Sequence, residues 1–380
     1  MKKISTLLVI FLLIGCNLKE QKVERIYENG IEIIINQTNP YKVKGKLSDF
    51  TLKKEFSIDT EKDEIAKTGL VDIENFDIDS EGNIYLLTGK GEKNLIYKFD
   101  KNGNFLFSFC KKGEGPGELI YPLSTSFFID FKDRIIIRDV MTNKFCFFNK
   151  NGKLIGEIKC SPNLTFIFPL PKDKFLILKR IWNYNADYHI QDYYSLGDKG
   201  LKEIIKLNER KIPNPLKGKT IKGIYYTYPC AISDKYIFIG NQEIGYEISV
   251  YDFNGNLIRK IRKNYKKVPI PDGYKKNFEG FPDFIKKKIQ FPKYMPPFHS
   301  FFTDNDGRLF VMTYDMGGKS NKYFYDIFNS KGIFICRKSL NIFFDRSYIY
   351  AKVKNQHLYC IQEKESGFKQ LIVYKIKWAI

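Results

Sequence analysis

A hairpin that keeps returning constrains this chain more than any other feature. LIYKFDKNGNFLFSFC alternates apolar and polar residues, turns on Asn102-Gly103, and alternates again through Phe105, Phe107 and Phe109. Asn-Gly between two period-two runs marks a tight hairpin, because both residues accept the positive φ that a twist-matched turn demands. The unit recurs as KFCFFNKNGKLIGEIK at Asn151-Gly152 and as EISVYDFNGNLIRKIR at Asn254-Gly255, with weaker copies at Gly200 and Gly332. The turn glycines 103, 152, 200 and 255 stand about fifty residues apart. Upstream of each lies a second strand pair, clearest in FDIDSEGNIYLL and FFTDNDGRLFVM. Four-stranded units at this period predict an all-β chain, its blades arranged radially.

Six blades fit, over residues 73–110, 124–159, 164–207, 229–262, 298–338 and 346–377. The last one lacks an outer strand, while Ile31–Asn36 reads as a strand with no partner nearby. Pairing the two removes an open sheet edge, so this N-terminal strand is expected to close a six-bladed β-propeller. The segment 41–70 then reads as a lead-in, and 264–297 as an insertion between blades four and five, with a short helix expected at 282–289.

Composition supports a packed core, with 43% hydrophobic and 16% aromatic residues. The net charge of +20 comes mostly from lysines spread over every segment rather than from one stripe. That distribution argues against a nucleic-acid partner. Lys2 and Lys3 precede a short apolar run, and Leu13-Ile14-Gly15-Cys16 follows. The run is too short for a mature membrane span. Residues 1–15 are expected to be a signal peptide, 16–30 a polar tether and 31–380 the propeller. Six further cysteines are scattered through apolar strand contexts without close pairing, as buried free thiols would be.

The tetrapeptide ending at Cys16 resembles a bacterial lipobox, which implies lipidation of that cysteine and, with Asn17 after it, an outer-membrane anchor. The repeat units, the loop Gly113-Glu114-Gly115-Pro116-Gly117-Glu118 and FPKYMPPFHSFFTDNDGRLFVM together resemble the six-bladed β-propeller lipoproteins of Bacteroidetes, relatives of NHL-repeat proteins. The resemblance covers nearly all of the mature chain. It implies the fold and an envelope location, facing the periplasm or the cell surface, but no agreed reaction or ligand.

The glycine-rich loop could cradle an anion on bare amides, but no Lys-Ser/Thr follows and no helix opens, so a tight inter-blade connection is the stronger reading. The pattern Asp77-x-Asp79-x-Glu81-Gly82 starts like a calcium loop, yet Thr88 stands where the bidentate Glu belongs. Its recurrence as Asp304-x-Asp306-Gly307 favours turn chemistry, with Asp capping backbone amides. The three histidines, His189, His299 and His357, sit in separate units and are not expected to converge on a metal; no cofactor is implied. Insertion aromatics alternate with lysines, and loops on a rigid scaffold commonly carry binding. Candidate ligand-binding residues are therefore Arg180, Trp182, Tyr274, Phe281, Tyr294 and His299. The expected function is a non-catalytic envelope lipoprotein holding a protein, glycan, peptide or small-molecule partner. The alternative is a propeller lyase or hydrolase acting on a sugar or peptide in the channel.

Overall fold

A computed structural model describes residues 23–42, 45–90, 94–214, 217, 220–224, 226, 228–317, 322–342, 344–345 and 348–379. The expected signal peptide, Cys16 and Arg346 (a residue expected within blade six) lie outside the described residues.

Turn chemistry builds the units as the sequence indicates. Asp100 Oδ1 accepts from the backbone N–H of Asn102 (2.9 Å) and Asn104 (2.8 Å), and Gly103 takes φ +87°. Asn149, Asp252 and Asn329 cap their turns in the same way. Asp198 does so too, so the degenerate turn of blade three keeps the cap while losing the Asn-Gly pair. Such Asx caps fix the register of each outer hairpin. Asp79 likewise accepts from the N–H of Glu81 and Asn83, and Asp304 from that of Arg308, as the turn reading expects.

Blade one consists of Asn75–Ile78, Ile84–Leu87, Ile96–Phe99 and Phe105–Phe109. Blades two to five repeat the order, with inner strands Pro122–Ile129, Leu164–Leu170, Cys230–Ile232 and Phe301–Thr303. Six four-stranded antiparallel blades make an all-β propeller. Each strand sequence alternates in direction, so the loops sort by side. Asx turns gather on one face, called here the turn face. The second-to-third-strand loops and the links between blades gather on the other, the connection face.

Closure differs from the expectation. Ile31–Asn36 does not complete blade six; it pairs in parallel with Leu257–Lys263, the outer strand of blade four. Blade six, made of Ala351–Lys354, His357–Glu363 and Lys369–Ala379, is completed by Asp49–Asp59 from the presumed lead-in. The sequence obscured this strand because Lys53-Lys54-Glu55 interrupts it. A bulge between Lys54 and Phe56 turns its faces over, so Phe50 and Leu52 pack toward blade five while Phe56 and Ile58 pack toward blade one. The expected tether needs correction as well, since Glu24–Glu28 is a strand pairing with Ile31–Asn36. Its charged side chains suit an edge: Glu28 meets Arg262 at 2.6 Å, and Arg25 pairs with Glu32.

The core lies between blades. Tyr85, Phe109, Phe127 and Phe148 join blades one and two, and Phe238, Ile261, Phe301 and Phe328 join blades four and five. The turn glycines belong to these seams. A Cβ on Gly152 would stand 2.6 Å from the ring of Phe109, and one on Gly103 2.8 Å from Phe56 of the closing strand.

Candidate functional site

The inner strands of all six blades surround a cavity of about 820 Å³. Residues from the second, third and fourth strands of blade three also line it, so it runs from the axis out along that blade's face toward blade four. Phe128, Phe166, Phe168, Phe301 and Phe302 supply apolar wall, and Tyr194 and Tyr228 edge the side toward blade four.

Two clusters of charge in this wall stand out. Arg180, Asp192 and Arg210 sit opposite one another on three neighbouring strands of blade three. Arg180 grips Asp192 through Nε (2.7 Å) and a terminal nitrogen (2.9 Å), while Arg210 donates to the same carboxylate at 2.6 Å. Arg210 also donates to the carbonyl of Tyr226 and stacks over the Tyr228 ring at 5.2 Å. Asp192 is 1% exposed, and burial is the largest single influence on its pKa, acting to raise it. The two guanidiniums together outweigh burial and hold the carboxyl below its ordinary range. Two cations against one anion make this patch of blade three net positive, whereas the lining nearer the turn face is acidic, with Asp77, Asp130, Asp133, Asp234 and Asp304 against Lys352 and Lys354.

Nearer the turn face, Lys352 of blade six meets Asp77 of blade one at 2.6 Å, and Asp77 accepts the Ile129 N–H of blade two at 2.8 Å. Part of the Lys352 side chain faces open channel, yet protein surrounds it. Desolvation lowers its pKa, against the opposing pull of Asp77. Asp304, paired with Arg308 at the same end, has its pKa raised by burial.

Of the six candidate ligand-binding residues, the structure puts Arg180 in the cavity wall and the others elsewhere. Trp182 stacks at 15° on Tyr184 on the connection face, half exposed. Tyr274 and Phe281 pack around Phe278 in the insertion, whose short helix spans Asp283–Lys286. Tyr294 lies between Lys267 and Lys293, and its segment bridges to Pro269. His299 is buried against Tyr314, next to the lining residue Ser300. His189 leans on Trp182, and His357 meets Glu55, so the histidines remain apart. In the glycine-rich loop, Glu118 accepts from Gly115 N–H and Glu157 from Gly117 N–H, a closed connection of blade one to blade two.

Sequence reasoning missed Asp192, Arg210 and Lys352, and it read Asp77 as turn chemistry where the structure pairs it with Lys352 and the Ile129 N–H. The signal was present in IQDYYSLG, where Asp192 shares the phase of Ile190, Tyr194 and Leu196. A carboxylate in the apolar phase of a strand must be paired. Among the described residues no group of three or more His, Cys, Asp or Glu is placed to hold a metal ion. Cys230 lines the cavity as a thiol whose pKa burial pushes up to about 12.

Comparison with known proteins agrees on architecture. A family model described as a 6-bladed beta-propeller, DUF5128, matches residues 68–232, blades one to three and the first strand of blade four. No curated protein matches the chain. A crystal structure of a DUF4221 family member from Bacteroides vulgatus superposes with a TM-score of 0.53 at 14% identity, covering 88% of this chain and 100% of its own. A gluconolactonase from Xanthomonas campestris gives 0.40 at 10% identity over 87% and 91% of the two chains. A virginiamycin B lyase from Staphylococcus aureus, solved with quinupristin, gives 0.38 at 11% over 86% and 89%. The chain is a six-bladed β-propeller, similar over its first three blades to the DUF5128 family.

Proposed function

We propose that this chain is a cell-envelope lipoprotein whose propeller binds a small ligand, one with an acidic group and an apolar or aromatic body. The observation that carries the reading is the Arg180–Asp192–Arg210 cluster, a net positive patch on the blade-three side of the cavity beside Phe166, Phe168, Tyr194 and Tyr228, set apart from the acidic end near the turn face. A few polar groups converging in a largely apolar concavity are the usual build of a ligand site. Binding is favoured over catalysis by the lining itself. It contains no histidine, its one thiol is held protonated, and burial raises the pKa of two of its tyrosines, Tyr194 and Tyr228. None of these is poised as a base or nucleophile near neutral pH. The alternative, a lyase or hydrolase, would have to work through the lining carboxylates and Lys352, whose amine desolvation makes less basic.

The test is a thermal-shift and calorimetry screen of the purified propeller against aromatic acids, uronic acids and short acidic peptides. At least one class is expected to raise the melting temperature, and Arg180→Gln to weaken its binding at least tenfold. Arg210 keeps Asp192 paired in that variant, so the fold should survive. A screen without a stabilising class, or a hit indifferent to Arg180→Gln, overturns the proposal.

A further inference from the structure

The two faces of the propeller carry opposite kinds of side chain. Among the described residues, exposed large apolar groups in loops gather on the connection face. Tyr121, Met141, Tyr184, Ile244, Phe284 and Phe368 come from six different connections there, while the loops of the turn face contribute Phe131. The turn face is otherwise rich in Asx, Gly and Lys residues. The insertion on the connection face has no buried residue between 264 and 294, and it carries eight lysines against three acids over that span.

The chain also arrives at this face. Leu257–Lys263 ends at the connection face, since the 264–297 insertion follows it. Ile31–Asn36 runs parallel to it, and Glu24–Glu28 runs back, so Glu24 stands at the connection face beside Ile35. Cys16 lies eight residues before Glu24, a reach of at most roughly 27 Å.

We infer that the connection face lies against an anionic bilayer surface, with the insertion's lysines at the headgroups and Phe284 with its exposed apolar neighbours in the interface. Basic residues beside aromatic and aliphatic ones are the composition that interfacial binding uses. The turn-face mouth, with Asp77, Lys352 and Asp304, then opens away from the membrane. This orientation builds on the lipid-anchor reading, but its test need not.

A chain beginning at Asn17 would be tethered through an N-terminal hexahistidine to vesicles of phosphatidylglycerol, phosphatidylethanolamine and a nickel-chelating lipid. An environment-sensitive fluorescent amino acid replaces Phe284 in one sample and Lys101, on the turn face, in another. Brominated lipid is expected to quench the probe at 284 and leave that at 101 untouched. Equal quenching, quenching only at 101, or none at either site overturns the inference. In untethered co-sedimentation with the same anionic lipids, Phe281→Asp combined with Phe284→Asp is expected to reduce binding at least tenfold, and Phe131→Asp to leave it unchanged. A loss as large for Phe131→Asp counts against it. Because the tether replaces the acyl chains, these outcomes stand apart from whether Cys16 is lipidated.

Discussion

Asp192 shows how a single residue holds the site together. With 1% exposure, it is tolerable as an anion only because Arg180 and Arg210 both donate to it. Asp192→Asn is expected to leave Arg210 as a nearly buried, uncompensated cation and to cost about 3–5 kcal/mol in urea unfolding at neutral pH. The pH dependence follows from the direction of the shift. Because the folded-state pKa lies below the unfolded value, the stabilisation is complete above the unfolded carboxyl range, about 3.9, and fades as pH falls through the folded value. The gap between wild type and variant should therefore narrow in acid. A gap that is constant from neutral pH to strongly acidic conditions contradicts this assignment. At the same scale, Gly152 shows why Asn-Gly was so legible. It needs φ +77°, and Phe109 of the neighbouring blade fills the space where a Cβ would stand.

Among the elements, the two N-terminal strand systems have separate jobs. Asp49–Asp59 closes the ring against Lys369–Ala379, whereas Glu24–Glu28 and Ile31–Asn36 only widen blade four. A chain beginning at Tyr41 is expected to melt cooperatively at a lowered temperature. It loses Asn36, whose buried side chain donates to Gly332 O and accepts from Phe334 N–H, a pairing worth on the order of 1–3 kcal/mol when broken. A chain beginning at Glu61 should fail to fold cooperatively, because the last blade keeps an open edge and Phe50 and Ile58 are gone. Circular dichroism melts of both truncations check the claim. A cooperative transition for the shorter chain near that of the longer one would refute closure by Asp49–Asp59. The sequence showed the repeating hairpins well because each is a local unit with its own turn. It hid the closing strand because a bulge splits its apolar residues between two seams.

For the whole molecule, ring closure makes one axial cavity and two unlike faces, and it leaves Cys110, Cys146, Cys160, Cys230, Cys336 and Cys360 as free thiols. The proposed placement of that ring in the envelope depends on Cys16. Cys16→Ala expressed in a diderm bacterium is expected to incorporate no palmitate and to leave the membrane fraction, since no thioether can form without the thiol. Continued labelling and sedimentation of the variant would refute the lipid anchor.

What the sequence determined alone was set by short-range physics: turn residues that accept positive φ, period-two strands between them, and a spacing that fits only radial blades. That was enough for the all-β class, the number of blades and most of their boundaries. Tertiary structure decided which N-terminal strand closes the ring, because hydrogen-bond partners more than 300 residues apart leave no local trace. It also decided the site. Arg180 looked notable beside Trp182, but its partners Asp192 and Arg210 become neighbours only when three strands of blade three align. Lys352 meets Asp77 only once the last blade sits beside the first.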